Sequence, residues 1–207
     1  MNNPALNTAL KWGIENSSAS GTAESDRKTQ LSPEAIAAIF AGAHCKSDAD
    51  LMRQYMAEAE NPELDLEARV QAFDNFELLV EQLDNANNIE TLGLWTSLIA
   101  QLDSEHAKLR HLAAWCCGTA VQNNLRTQER LLIVGGIPIL ARLAIEDAEQ
   151  LVRKKAITAL SSAVRNFQPG LDAALAAIPA EYKPSEKLDA NDMDSVDVLI
   201  NKLRENV

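Results

Sequence analysis

Residues 109–124 read LRHLAAWCCGTAVQNN, and residues 152–167 read VRKKAITALSSAVRNF. Superposed at an offset of 43 residues, Arg110 falls on Arg153, Ala113 on Ala156, Cys117 on Leu160, Ala120 on Ala163, Val121 on Val164 and Asn123 on Asn166. A shift of 41 places Arg69, Ala72, Phe76 and Val80 beneath Arg110, Ala113, Cys117 and Val121. In each copy the small and apolar residues recur at the spacing of one buried helix face. A chain that repeats such a face every ~40–47 residues buries it by stacking one unit on the next.

The residues between the copies set the kind of repeat. RLLIV (residues 130–134) is followed by the breaker Gly135-Gly136 and then by IPILARLAI (residues 137–145), so each unit holds several helices. The Gly-Gly break before a short apolar helix favours an armadillo unit over its HEAT relative. The expected fold is all-α, a short armadillo-repeat right-handed superhelix spanning residues 31–178. Asp65 reads as the cap of an earlier long helix carrying Val70, Phe73, Phe76, Leu79, Val80 and Leu83 on its core side. DNANN (residues 84–88) reads as the connection after it, and residues 89–102 as the next helical stretch with Leu92, Trp95, Leu98, Ile99 and Leu102. Pro169-Gly170 reads as the stop of the last copy. Beyond Ile178 the repeat fades into a connector, residues 179–190. Residues 192–204 then place Met193, Val196, Leu199 and Leu203 to cover the open end, so residues 179–207 form a linker and a capping helix.

Upstream of the repeats, residues 47–60 read as a helix with Leu51, Met52, Tyr55 and Met56, ended by Asn61-Pro62. Ser32-Pro33-Glu34 marks the start of folded structure, because Pro is preorganised for the first helical position. Residues 17–30, SSASGTAESDRKTQ, hold no apolar side chain larger than Ala and cannot offset their ordering entropy. Residues 1–30 are therefore expected to be a flexible segment that carries Trp12 and Ile14 outside the domain.

The formal charge of −11 excludes the Lys/Arg-rich surfaces that nucleic acids and anionic membranes require. That charge is polarised: residues 58–90 hold ten acids against one base, and residues 105–165 hold nine Lys/Arg against five acids. Such polarity suits steering toward a protein partner. The three cysteines form no CxxC spacing, and Cys116 and Cys117 read as buried small hydrophobes of an intracellular protein. No secretory leader or membrane-length apolar run is evident, so a cytoplasmic location is expected.

Nothing in the chain has the spacing of a P-loop, a GxGxxG turn or a GxSxG elbow. His44, His106 and His111 lie in no metal-ligand pattern, and Glu77 with Glu81 reads as a solvated acidic helix face. No catalytic residue, metal or cofactor is expected. Binding should instead use the concave face, lined by the third helix of each unit. With Ala113, Cys117, Ala120 and Val121 turned to the core, Trp115, Thr119 and Gln122 form the outward stripe. The offsets add Asp74, Leu78 and Glu81 from the first unit, and Thr158, Ser162 and Arg165 from the last. Peptide-binding armadillo adaptors carry a Trp/Asn ladder there. This chain has one Trp in three positions (Asp74, Trp115, Thr158) and no Asn in the other three (Leu78, Thr119, Ser162).

The blocks LKWGIENS (residues 10–17), DADLM (residues 48–52), LDLEARVQAFDNFELLVEQLDNANNIE (residues 64–90), AAWCCGTAVQNN (residues 113–124) and VRKKAITALSSAVRNFQPG (residues 152–170) resemble the armadillo-type nucleotide exchange factors of heat-shock protein 70 chaperones, in their fungal cytosolic branch. That resemblance implies a monomer that binds the chaperone's nucleotide-binding domain in its concave face and accelerates ADP release without chemistry of its own. It implies a release segment at residues 1–30 that competes for the chaperone's peptide site through Trp12 and Ile14. It also implies contact at Asn85, Ala86, Asn87 and Asn88, with Asn123 joining Trp115, Thr119 and Gln122. The chain departs from the pattern by lacking a later repeat and by having FAGAHCKSDADLM (residues 40–52) in place of a Gly-rich linker.

Overall fold

The computed structural model describes residues 46–205 and residue 207. The expectations for residues 1–30, with Trp12 and Ile14, and those for Ser32-Pro33-Glu34, His44 and Cys45, lie outside the described residues. From Asp48 onward the described chain forms one compact unit of ten α-helices, with no strand among the described residues.

Helix α1 (Asp48–Glu60) buries Met52, Met56 and Ala59 on one face. It is followed by α2 (Leu66–Val80), whose N-cap Asp65 accepts a hydrogen bond from the Ala68 amide at 2.8 Å. Two three-helix units come next. The first is α3 (Leu83–Thr91), α4 (Trp95–Ala100) and α5 (Ala107–Val121); the second is α6 (Leu125–Ile133), α7 (Gly136–Glu146) and α8 (Gln150–Val164). The chain ends with α9 (Gln168–Ala177) and α10 (Met193–Arg204). Helix α2 packs on α5 and α5 on α8, and α10 covers the free flank of α8 with Val196, Leu199, Ile200 and Leu203. This is the stacked solenoid order that the repeat implied.

The superposed residues carry equal structural tasks. Arg69, Arg110 and Arg153 each reach back from the first turns of a long helix to carbonyls just before it. Arg69 donates to Ala59 O, Arg110 to Ser104 O and Glu105 O, and Arg153 to Asp147 O and Ala148 O. Asn123 and Asn166 both adopt left-handed backbone, at φ 52° and 56°, and end α5 and α8. Asn tolerates that region better than other side chains, so each works as a helix stop. Gly118 of α5 lies directly against α8: a Cβ there would lie 3.0 Å from Ala159 Cα.

Four local readings change. DNANN is no connector, because Asp84 to Asn88 lie inside α3. The chain turns earlier, at Glu81 and Gln82, and Leu83 is therefore 61% exposed rather than part of the core. Residues 89–102 are split at Gly93, whose φ of 70° separates α3 from α4. Finally, Asn166 rather than Pro169-Gly170 ends the last copy. Pro169 sits in the first turn of α9, where its missing N–H costs nothing.

Candidate functional site

The floor of the groove is the row α2, α5, α8, and three hollows run along it. The first, about 390 Å³, is lined by Val80, Glu81, Leu83, Ala86, Thr119, Ala120, Gln122 and Asn123. The next, about 520 Å³, shares Gln122 and Asn123 and adds Thr158, Ser161, Ser162, Arg165 and Arg204. A third, about 340 Å³, lies between the N-terminal halves of the three helices and holds Asp74, His111, Trp115 and Leu151. Apart from Leu78, every residue of the sequence stripe lines one of these hollows, with Gln122 and Asn123 belonging to two at once.

Individual residues differ in what they offer. Leu78 and Trp115 are exposed large apolar groups that the core does not use. Thr158 is exposed and donates to Lys154 O, while Arg165 is half-buried, ion-paired with Asp197 of α10 and bonded to Ser161 Oγ at 3.0 Å. Ala86 is only 3% exposed, yet its face closes the first hollow, where a larger side chain would fill the space. The amides around it are structural. Asn85 is buried and donates to Asp48 Oδ2 at 2.9 Å and Leu79 O at 3.0 Å, clamping α1 and the end of α2 to α3. Asn87 Oδ1 accepts from Asn124 Nδ2 at 3.2 Å, and Asn88 lines none of the three hollows.

Glu77 is the largest departure from the sequence reading. It is 5% exposed, not solvated, and accepts a hydrogen bond from Thr119 Oγ1 at 2.8 Å. Burial pushes its carboxyl up from the usual range, and the Thr119 bond offsets that only in part. Lys155 of α8 places its ammonium 3.5 Å from the centre of the Trp115 ring, a cation–π contact. Burial lowers the Lys155 pKa, and the nearby Glu77 carboxylate raises it in part. His111 Nδ1–H donates to Leu151 O at 3.1 Å, its ring edge-on to Trp115 at 6.0 Å, and burial lowers its pKa. Glu77, His111, Leu151 and Lys155 were missed in the sequence. The signal for two of them was there: His111 is one turn before Trp115, and Leu151 falls on Lys108 at the repeat offset.

The rest of the chemistry is quiet. Cys116 and Cys117 are fully buried, and burial raises both thiols, Cys117 to about 12. Such thiols are not nucleophiles at neutral pH. Among the described residues no group of His, Cys, Asp and Glu is arranged to hold a metal, and no helix is long and apolar enough to cross a membrane.

Two family models together match residues 6–173: nucleotide exchange factor Fes1 over residues 6–89, and the SIL1/FES1/HPBP1 C-terminal domain over residues 85–173. The Hsp70 nucleotide exchange factor FES1 of Gibberella zeae is 49% identical over 100% of this chain and 99% of its own. The chain belongs to the Fes1 family of nucleotide exchange factors. A second Fes1 relative, from Coccidioides immitis, is 45% identical over 97% of both chains. The Fes1 of Saccharomyces cerevisiae is 42% identical over 77% of this chain but only 55% of its own. Among solved structures, an engineered protein (Northeast Structural Genomics Consortium target OR329) agrees in fold with a TM-score of 0.55 at 17% identity. It covers 84% of this chain and 66% of its own. The two Fes1-family models overlap at residues 85–89, within the α3 turns that carry Ala86.

Proposed function

We infer that this protein is a nucleotide exchange factor for a cytosolic heat-shock protein 70 chaperone, acting by binding and not by a covalent reaction of its own. The observation that carries the reading is a family-typed chain whose groove floor is built for contact. Trp115 and Leu78 are exposed large apolar groups, and Trp115 stands one helical turn from Thr119, which lines the Ala86 hollow. In this reading Asp74, Leu78, Glu81, Ala86, Trp115, Thr119, Gln122, Asn123, Thr158, Ser162 and Arg165 face the chaperone's nucleotide-binding domain. Asn85 and Asn87 hold α3 in place for them.

Exchange follows from linkage. A protein that binds the open lobe arrangement more tightly than the ADP-closed one must weaken ADP by the same factor. A thousandfold weakening corresponds to about 4 kcal/mol of differential affinity, within reach of one well-packed interface. ADP release then lets ATP rebind and substrate leave. A peptide-adaptor role is less well supported, because Lys155 already occupies the Trp115 ring on which a bound peptide's side chain would stack.

The test is release of a fluorescent ADP analogue from a purified cytosolic chaperone, with the full chain and with residues 1–30 removed. The full chain accelerates release, and Ala86→Arg abolishes the acceleration while leaving the helical circular dichroism intact. Release unchanged by the wild-type protein across several such chaperones would rule the function out.

A further inference from the structure

We propose that the hollow beside Trp115 is a side-chain pocket of the docking surface. It takes one large aliphatic or aromatic side chain of the chaperone, flanked by an aspartate or glutamate whose carboxylate meets Lys155. The proposal rests on the exchange-factor reading and extends the contact surface to the opposite end of the groove from Ala86.

The hollow has the form of a pocket for one side chain. At about 340 Å³ it lies at the small end of ligand sites, and Val70, Leu112, Trp115, Leu151 and Val152 supply most of its wall. Leu151 is 66% exposed and Trp115 39% exposed, although both stand on the groove floor. Large apolar groups that the core does not need, gathered at one concavity, mark a place where a partner removes them from water. The pocket is also continuous with the rest of the face: Trp115 is one helical turn from Thr119, which lines the Ala86 hollow.

Charge decides the occupant's neighbour. Lys155 is half-buried, and among the described residues no carboxylate lies within ion-pair distance of it. Glu77, the carboxylate whose charge acts on it, is buried and already accepts from Thr119. Asp74 and Glu149, which also line the hollow, are exposed to solvent, as is Lys108. A partly desolvated cation gains more from a new partner than an exposed charge does, so the complementary group is an anion placed over Lys155. The ammonium stays on the Trp115 face and holds the ring as the pocket wall.

The experiment measures the dissociation constant for the chaperone's nucleotide-binding domain, and its salt dependence, alongside ADP-analogue release. Leu151→Glu, at an exposed position that folding does not use, weakens binding about tenfold or more. Lys155→Gln weakens it about threefold and flattens the salt dependence; Lys155→Glu weakens it further than Gln does. Ile133→Glu, at the far end of α6, leaves binding unchanged. A photo-crosslinker at residue 151 labels an apolar segment of the chaperone that contains Asp or Glu. If the wild type exchanges nucleotide and Ala86→Arg does not, while Leu151→Glu and Lys155→Gln both bind like wild type, the pocket is not a contact and only this proposal falls. A crosslink to a basic, acid-free segment overturns it as well. A wild-type protein that neither binds nor accelerates release removes the exchange-factor reading itself.

Discussion

Where α2 meets α5, the seam contains a buried carboxylate, Glu77, bonded to Thr119 across the joint. Where α5 meets α8, the helices touch at Gly118 and Ala159, and Arg110 of α5 grips Asp147 just before α8 through two N–H groups at 2.7 and 2.9 Å. The same helix, α5, thus makes one joint around a buried carboxylate bonded to a hydroxyl, and one held by close helix contact and an ion pair. A repeat protein can hold one end of its groove rigid and leave the other responsive by changing a few residues on otherwise equivalent helices.

The rigid seam gives the largest expected effects. Arg110→Ala leaves the Asp147 carboxylate buried without its cation and costs about 3 kcal/mol, read as a shifted urea midpoint. Gly118→Val drives two methyls and a Cβ against the α8 backbone and costs about 2 kcal/mol by the same measurement. If Gly118→Val were neutral, the two seams would not differ in stiffness as described.

The seams also part in their response to acid. Burial alone would raise the Asp147 pKa, but the Arg110 hydrogen bonds and the Glu149 amide outweigh it and hold the carboxyl below its usual 3.8. The native state therefore binds fewer protons there, so its stabilisation is present above pH 3.8 and is lost as pH falls toward the folded value. Glu77 runs the opposite way, because its folded pKa is raised above 4.5. Its contribution falls as pH rises from 4.5 through that folded value, and the penalty is complete above it. Glu77→Gln accordingly gains on wild type in urea melts as pH rises above 4.5, and converges with it below. Arg110→Ala loses the acid-limb sensitivity attributed to Asp147. The smallest effect is at Asn123, which ends α5 between the two seams. Asn123→Ala costs about 1 kcal/mol for a left-handed residue without a short polar side chain, and Asn123→Gly is close to neutral.

Repeat and floor were legible in the sequence because period and offset are properties of the chain alone. Ala113, Cys117, Ala120 and Val121 are buried as their spacing requires, and Trp115 stands out of the core. The misreadings share a cause. In the sequence Glu77 beside Glu81 reads as solvated because nothing local partners a buried acid; its partner is Thr119, 42 residues away. DNANN reads as a connector because Asn and Asp favour turns, yet in α3 the side chains of Asn85 and Asn87 make tertiary clamps to Asp48, Leu79 and Asn124. Polar side chains satisfied by distant partners leave no local signature. Lys155 was invisible for the same reason, since its contact with Trp115 spans two helices of different units.

The arginine latches have a further consequence for how such arrays change length. Arg69, Arg110 and Arg153 each fasten a long helix to carbonyls of the chain just before it, so much of each unit's closure is written into its own stretch of polypeptide. A unit that carries its own fastening can be duplicated or dropped as a cassette, and the joints left behind need little redesign. The contacts across each seam, Glu77 with Thr119 and Arg110 with Asp147, are then what a new neighbour would have to match.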